Sequence, residues 1–279
     1  MSNQKFTTTL NSIQSISVLG AGWLGWPLAK HLKKLSYAIK TSTTTPEKLN
    51  LLQVDELQPV LLIIDQGEIT INDRSFFDTD LIILNIPPSR RRPDVESRYP
   101  TQIEAILDFA QNRGVPKILF IGSTSVYGDV NSVVTETSDL YPDTPSARGL
   151  IAAEKVLKKT YPGDSSTILR MSGLIGGDRK AGRFFAGKRD VPEGNAPVNL
   201  VQLEDCIGVI EAVIQKEVWG QVFNVCADEH PRKADYYTNQ ALEQGFEIPT
   251  FLPDETPRFK EVSNEKVKRD LGYAFTKLY

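Results

Sequence analysis

A short apolar run near the N-terminus leads directly into a glycine-rich loop, Ile16-Ser17-Val18-Leu19-Gly20-Ala21-Gly22-Trp23-Leu24-Gly25. The loop opens a segment whose leucines recur at helical spacing, as far as Leu35. A G-x-G-x-x-G sequence between a strand and a helix is the fingerprint of a dinucleotide-binding unit. Its glycines permit a tight turn, close approach of a pyrophosphate and close packing of helix on strand. We therefore expect cofactor contacts from Gly20, Ala21, Gly22, Trp23, Leu24 and Gly25.

Beyond the loop, short apolar runs alternate with longer segments of helical periodicity. The runs are almost continuously apolar, as strands of a parallel sheet buried on both faces must be. Strand–helix alternation then predicts an α/β fold, a Rossmann-type doubly wound parallel sheet. The predicted strands are 16–19, 37–41, 60–64, 81–86, 117–121, 167–171 and 221–225, and the predicted helices are 22–35, 46–52, 95–112, 146–161, 205–215 and 232–245.

The order of these elements predicts one core and one smaller lobe. Residues 1–14 are polar and form an expected N-terminal extension. Residues 15–171 are expected to form an NAD(P)-binding Rossmann core. Residues 172–279 are expected to form mainly a small C-terminal substrate lobe, with elements that return to complete the core.

Composition narrows the classes of function. The chain has 279 residues, of which 40% are hydrophobic and 24% are charged. These proportions exclude a collagen-like or an intrinsically disordered protein. A net charge of −3 argues against nucleic-acid binding, and no apolar run approaches the length of a membrane span. Two cysteines, two histidines and the lack of an apolar leader favour the cytoplasm and disfavour a metal site. We expect a small-molecule partner, with no nucleic acid or membrane, and a homo-oligomer is possible.

The end of the second predicted strand bears on the choice of cofactor. It reads Lys40-Thr41-Ser42-Thr43-Thr44-Thr45-Pro46, and its first acidic residue, Glu47, comes too late to bind the ribose of NAD. Hydroxyl groups with Lys40 or Lys48 could bind a 2′-phosphate instead. This favours NADP over NAD, with contacts from Thr41, Ser42 and Thr43, while NAD stays open. A polar turn capping the next helix is an alternative, and both can hold.

Several further segments match, in their order and spacing, those of a known protein family. With the glycine loop, the sequence resembles the extended short-chain dehydrogenase/reductases, the NAD-dependent epimerase/dehydratase family. The last fifty residues resemble one subgroup of that family. The segments are Gly122–Asp129 (GSTSVYGD), Leu169–Gly176, Val198–Asp205, His230–Arg232 and Phe259–Asn264.

The resemblance implies roles for residues near the ends of the predicted strands. Ser123 would hydrogen-bond the reacting oxygen, with Thr124 helping to polarise it. The loop after the fourth predicted strand would border the cofactor. The implied cofactor contacts are Asn85, Ile86, Pro87 and Ser172, and the implied substrate contacts are Ser125, Tyr127 and Arg179.

The chain departs from the family at the catalytic helix. There the family carries a Tyr and a Lys four residues apart, so that the ammonium lowers the pKa of the phenol. Aligned on the family's Ala-Glu pair, here Ala153-Glu154, these positions are Ser146 and Leu150. The resemblance is therefore to atypical members that lack the Tyr–Lys pair.

Two functions remain open on these grounds. The first is an NAD(P)-dependent oxidoreductase, epimerase or dehydratase acting on a polar, anionic small molecule. The alternative is a non-catalytic NAD(P)-binding redox sensor or scaffold. A group of basic residues favours an anionic substrate, although a solvated surface loop would have the same composition. They are Arg90, Arg91, Arg92, Arg170, Arg179, Lys180, Arg183, Lys188 and Arg189.

Overall fold

A computed structural model describes residues 13–89, 92–252 and 256–278 of the chain. Most of the expected N-terminal extension, residues 1–12, lies outside the described residues, as do Arg90 and Arg91. The strands are β1 (Ser15–Leu19), β2 (Ala38–Thr43), β3 (Pro59–Asp65), β4 (Glu68–Ile71), β5 (Leu81–Leu84), β6 (Lys117–Ser123), β7 (Val133–Val134), β8 (Ser166–Met171), β9 (Gly173–Ile175), β10 (Leu200–Gln202), β11 (Val222–Val225) and β12 (Glu261–Val262). The helices are α1 (Gly25–Lys34), α2 (Glu47–Val54), α3 (Val95–Asn112), α4 (Pro145–Thr160), α5 (Leu203–Gln215), α6 (Lys233–Glu243) and α7 (Glu265–Leu271).

Eight strands form the central sheet, in the order β11-β8-β6-β5-β1-β2-β3-β4. Every neighbouring pair is parallel except β3 and β4, which form an antiparallel hairpin at the edge. The order reverses on either side of β1, which pairs with β2 on one side and β5 on the other. This is the doubly wound parallel sheet that the alternating sequence pattern predicts, and its crevice between β1 and β5 is where such sheets bind ligands.

Helices cover both faces of the sheet. One apolar cluster joins the sheet to α3 and α4 through residues such as Ile106 and Leu157. The cluster on the other face joins it to α1 and α5 through residues such as Leu28 and Val209. A third, smaller cluster lies around Ile175, Leu200 and Tyr237. No helix in residues 13–89, 92–252 and 256–278 combines the length and apolarity needed to cross a bilayer.

The differences from the predicted elements have local causes. The first helix begins at Gly25 instead of Gly22, because residues 22–24 form a turn before it. Pro27 then falls in the first turn, where a helix needs no backbone donor. Strand β4 was not predicted from the sequence. It follows a two-residue turn at Gln66 (φ 47°) and Gly67 (φ 84°), both in the left-handed region that such hairpins need.

Candidate functional site

The glycine loop is held between the ends of two strands. Ser42, in β2, accepts from the Ala21 N–H through its carbonyl oxygen (2.8 Å) and from the Gly20 N–H through its hydroxyl (3.0 Å). On the other side the Asn85 amide, just beyond β5, donates to the Gly20 carbonyl oxygen at 3.0 Å. The protein itself therefore fixes the conformation of the loop.

Two of the three glycines are required by the protein's own packing. Gly20 has a φ of +104°, and a Cβ there would lie 2.6 Å from the Asn85 carbonyl oxygen. A Cβ on Gly25 would lie 2.1 Å from the Gly20 carbonyl oxygen. Gly22 is different, because a Cβ there would meet nothing within 4 Å and its φ lies outside the left-handed region. The space above Gly22 is therefore open to a ligand that approaches the backbone.

The start of α1 leaves donors available beside that space. The helix has no side-chain N-cap and no acidic residue in its first turn. Within the described part of the chain, the backbone N–H groups of Trp23 and Leu24 have no acceptor. Unpaired N–H groups and the positive end of the helix dipole together favour an anion at this position.

A cleft of about 620 Å³ opens beside the loop, at the carboxyl ends of β1, β2 and β5. This volume is within the range of small-molecule and cofactor sites. Its walls come from the glycine loop, the end of β2, strand β3, the loop after β5 and one face of α3. They are formed by Leu19, Gly20, Ala21, Gly22, Ser42, Thr43, Thr44, Thr45, Lys48, Leu62, Ile64, Asn85, Ile86, Pro87, Ser89, Arg92, Val95, Arg98, Tyr99 and Gln102.

The cleft has an apolar part and a cationic part. Leu62, Ile64 and Tyr99 supply apolar surface, and the Tyr99 hydroxyl is turned away to donate to the Ile86 carbonyl oxygen at 2.9 Å. The cations lining the cleft are Lys48, Arg92 and Arg98. Of the described residues that line it, none is acidic.

The cations of the cleft differ in their pairing. Arg98 pairs with Asp65, and Arg92 pairs with Asp94 at 3.1 Å on the surface. Lys48 forms no ion pair with any described carboxylate. Lys48 is therefore the least committed of the three cations of the cleft.

The structure brings many of the predicted cofactor residues to this cleft. Trp23, Leu24 and Gly25 belong to the same loop without forming the walls. Ser172 is buried beyond β8, with its N–H on the Val225 carbonyl oxygen at 3.0 Å. The predicted residues that line the cleft are Gly20, Ala21, Gly22, Ser42, Thr43, Asn85, Ile86 and Pro87.

Two predicted contacts near β2 face elsewhere. Thr41 is fully buried, and its hydroxyl donates to the Leu57 carbonyl oxygen at 3.3 Å. The Lys40 ammonium donates to the backbone carbonyls of Ser75 and Asp78. Ser42 bonds the glycine loop, whereas the polar groups of Thr41 and Lys40 are taken up by backbone carbonyls elsewhere. Of the two lysines suggested by the sequence, only Lys48 reaches the cleft.

The predicted catalytic segment follows β6 and begins a short 3₁₀ helix over Thr124–Tyr127. Ser123 caps this helix, with its hydroxyl accepting from the Ser125 N–H at 3.2 Å. Ser123 and Ser125 are half-buried, and Thr124 is buried. None of these three residues lines the cleft at the glycine loop.

Tyr127 lies in a buried polar network instead of on a surface. Its hydroxyl donates to Asn224 Oδ1 and accepts from Arg170 Nη1, both at 2.7 Å. Arg170 in turn makes a two-point contact with the Glu154 carboxylate, at 3.0 and 2.7 Å. Burial raises the pKa of Tyr127, against the opposing effect of Arg170. Tyr127 is fully buried, and its hydroxyl is engaged by partners within the protein.

Ser146 and Leu150, the predicted counterparts of the family's Tyr–Lys pair, both lie on α4. Ser146 is half-buried near the helix start, with its hydroxyl 3.1 Å from the Thr144 hydroxyl, which caps the helix. Leu150 is buried among the apolar residues of the core. Neither side chain supplies a phenol or an ammonium group.

The basic residues at and beyond the end of β8 differ in their surroundings. Arg170 is buried against Glu154, and Arg189 pairs with Glu247 at 2.7 Å. Arg179 is exposed, with its guanidinium 4.6 Å from the centre of the Trp23 ring. Arg179 therefore lies against the glycine loop, although it is distant from it in sequence.

The contribution of α3 to the cleft was not predicted from the sequence. Val95, Arg98, Tyr99 and Gln102 lie three or four positions apart, so they share one face of the helix. That spacing was visible in the sequence, but nothing local indicated that this face borders a ligand site.

The comparisons with known proteins agree with this architecture. The model of the NAD dependent epimerase/dehydratase family matches residues 101–226. The protein YeeZ of Escherichia coli K12 is 34% identical over 266 residues, covering 94% of this chain and 96% of YeeZ.

Similar solved structures share the fold at low sequence identity. One is a short-chain dehydrogenase/reductase superfamily protein from Agrobacterium tumefaciens, with 16% identity, TM-score 0.75 and coverage of 94% of this chain and 93% of that chain. Another is DesIV, a dTDP-glucose 4,6-dehydratase from Streptomyces venezuelae, with 18% identity, TM-score 0.74 and coverage of 95% and 93%. With the near full-length relative and the family match, this chain belongs to the NAD-dependent epimerase/dehydratase family.

Proposed function

We propose that the cleft binds a nicotinamide dinucleotide and that the chain uses it as an oxidoreductase, epimerase or dehydratase on a polar, anionic small molecule. The observation that carries the binding proposal is Gly22. Packing and backbone conformation account for Gly20 and Gly25, whereas a Cβ on Gly22 would enter open space beside the Trp23 and Leu24 N–H groups. A glycine at that position is explained by a ligand that must approach the backbone closely.

The rest of the cleft fits the parts of such a ligand. The backbone at Gly22 and the start of α1 would hold the pyrophosphate. The apolar side chains of Leu62, Ile64 and Tyr99 would hold the adenine ring. Two of the similar structures contain bound NAD, which supports the same class of ligand here.

We further propose that NADP is preferred over NAD. An NAD site of this type carries an acidic residue that accepts hydrogen bonds from the ribose hydroxyls. Among the described residues lining this cleft there is none, and Lys48 is free to pair with a phosphate. The hydroxyls of Thr44 and Thr45 add donors beside it.

The proposed chemistry assigns separate tasks to this chain's residues. A bound dinucleotide would supply hydride transfer at its nicotinamide. Ser123, half-buried at the end of β6, would polarise a carbonyl or hydroxyl oxygen, with the support of Thr124. The exposed cations Lys180 and Lys188 would favour an anionic substrate.

A second candidate is a non-catalytic redox sensor, and one observation favours it. At the α4 positions predicted to correspond to the family's Tyr–Lys pair, the chain carries Ser146 and the buried Leu150. A serine hydroxyl is a far weaker acid than a phenol, so the usual proton transfer has no donor there.

One experiment tests the proposal and separates the two candidates. The purified protein is saturated with NADPH, monitored by its emission, and then mixed with a panel of phosphorylated or carboxylated aldehydes and ketones. The proposed enzyme oxidises NADPH with at least one of them, and Ser123→Ala abolishes that turnover while NADPH binding persists. Binding with no turnover across the panel supports the sensor, and no binding refutes both.

A further inference from the structure

The turn that follows β9 is built to carry Arg179 back onto the glycine loop. Gly176 and Arg179 bond to each other through both backbone groups, at 3.2 and 3.0 Å. Gly176 (φ +101°) and Gly177 (φ +56°) provide the left-handed conformations for so tight a turn. A Cβ on Gly176 would lie 3.1 Å from the Leu203 N atom, so the turn rests directly on the start of α5. Its position is therefore fixed by backbone contacts.

The Trp23 indole is the surface on which Arg179 lies. The guanidinium is 4.6 Å from the ring centre, in the range of a cation–π contact. The other edge of the indole faces the turn, since a Cβ on Gly177 would lie 3.8 Å from Trp23 Nε1. Trp23 is one of the residues whose backbone N–H groups remain available at the start of α1. Arg179 therefore contacts the side chain of a residue whose own backbone N–H group is available.

Nothing in the described protein neutralises this charge. Arg179 has no carboxylate within ion-pair distance among residues 13–89, 92–252 and 256–278. Asp178, its neighbour in the turn, is likewise exposed and forms no ion pair with a described cation. An arginine held on the Trp23 side chain of the glycine loop, with no described carboxylate paired to it, has the charge and the donors to bind a phosphate group.

We propose that Arg179, held on Trp23, binds the pyrophosphate of the bound dinucleotide opposite the backbone N–H groups of the glycine loop. The inference rests on the proposed dinucleotide binding and names a residue of that site outside the glycine loop. A phosphate on the substrate would offer the same chemistry, so the two sources must be told apart. The cofactor is favoured because Trp23 belongs to the loop that receives the cofactor's pyrophosphate.

The test compares two ligands on two matched variants. NADPH contains the pyrophosphate, whereas adenosine 2′-monophosphate retains the adenine and 2′-phosphate without it. Arg179→Gln removes the proposed contact. Arg183→Gln is the control, because Arg183 is an exposed arginine four positions along the chain with no ion pair to a described residue. Affinity is measured by calorimetry, with melting temperatures as a check on folding.

We expect Arg179→Gln to weaken NADPH and NADH binding by about tenfold each, a loss typical of one charge-assisted contact. Adenosine 2′-monophosphate should bind both variants and the wild type equally, and Arg183→Gln should bind NADPH as the wild type does. Unchanged NADPH affinity in Arg179→Gln would overturn the inference and leave the cofactor site intact. An equal loss for adenosine 2′-monophosphate would also overturn it. If wild-type protein binds no dinucleotide, the proposed function itself fails.

Discussion

Gly22 and Gly25 stand three positions apart in one loop, and their surroundings predict opposite effects of substitution. At Gly22 a side chain enters open space, so Gly22→Val should fold with an unchanged free energy of unfolding. It should nevertheless bind NADPH at least about tenfold more weakly, because the side chain occupies the position proposed for the pyrophosphate. Calorimetric titration and denaturant unfolding measure the two effects separately.

Gly25→Ala is the matched control. Its Cβ would lie 2.1 Å from the Gly20 carbonyl oxygen, so the backbone must shift. We expect a loss of about 1–3 kcal/mol in the free energy of unfolding, as for other overpacked sites. A Gly22→Val protein that binds NADPH like the wild type would contradict the role given to the open space.

The second prediction for a single residue concerns Lys48. Lys48→Gln should weaken NADPH binding by about tenfold and leave NADH binding unchanged, because only NADPH carries the 2′-phosphate. The difference should shrink as salt is added, since Lys48 is only half-buried. Parallel titrations at low and high salt provide the measurement.

Lys40→Gln is the control for Lys48. Its ammonium is committed to the backbone carbonyls of Ser75 and Asp78, so the NADPH-to-NADH ratio should not change. The 2′-phosphate assignment is wrong if Lys48→Gln weakens both cofactors equally.

The roles of some single residues can be predicted from the sequence, and those of others cannot. The glycine loop could be predicted because each of its three glycines serves a turn, the approach of a ligand to the backbone, or close packing. Tyr127 could not, because its partners Arg170 and Asn224 come from β8 and β11, far along the chain. A tyrosine after a strand looks the same in sequence whether it faces a ligand or completes a buried network.

Among the elements, α4 is tied to the sheet by a buried ion pair. The Arg170 guanidinium and the Glu154 carboxylate are each 4% exposed and meet in a two-point contact. Glu154→Ala would leave Arg170 charged and unpaired in the core. We expect a loss of about 3–5 kcal/mol in the free energy of unfolding, measured by urea denaturation.

An exposed ion pair on the neighbouring helices is the control for Glu154. Glu96 and Arg148 join α3 to α4 at 2.8 Å, with both side chains at least 42% exposed. Glu96→Ala should therefore cost less than about 1 kcal/mol. Similar losses for the two variants would show that Glu154 does not hold α4 to the sheet.

The two-residue strand β12 is held by one asparagine. Asn199 donates to the Lys260 carbonyl oxygen at 2.9 Å and accepts from the Val262 N–H at 2.8 Å. Asn199→Ala should cost about 1–3 kcal/mol and speed amide hydrogen exchange in β12 and its partner β7. Asn239→Ala, an exposed asparagine in α6, is the control. Unchanged exchange at Val262 in Asn199→Ala would contradict this account of the strand.

Element length explains which elements the sequence reveals. Helix α3 is predicted at its observed bounds, because eighteen residues give several turns of periodic pattern. Strands β7, β9, β10 and β12 have two or three residues each, too few for any periodicity. They form where two distant segments meet, as β12 meets β7, so the information that creates them is tertiary.

At the scale of the whole molecule, the order of elements determines the position of the cleft. Alternating strands and helices predict a parallel sheet with helices on both faces, and that sheet is found. The crevice then lies where the strand order reverses beside β1, which is where the glycine loop begins. The cationic wall supplied by α3 could not be foreseen, because it requires knowing which face of that helix borders the crevice.

The central claim is that this cleft binds a nicotinamide dinucleotide and prefers the 2′-phosphorylated form. The most direct measurement is calorimetric titration of the purified wild-type protein with NADPH and with NADH at equal salt. The account predicts one site per chain for each ligand and an affinity for NADPH about tenfold or more above that for NADH. Absence of binding by either at millimolar concentration would contradict the account, and tighter binding of NADH would contradict its cofactor preference.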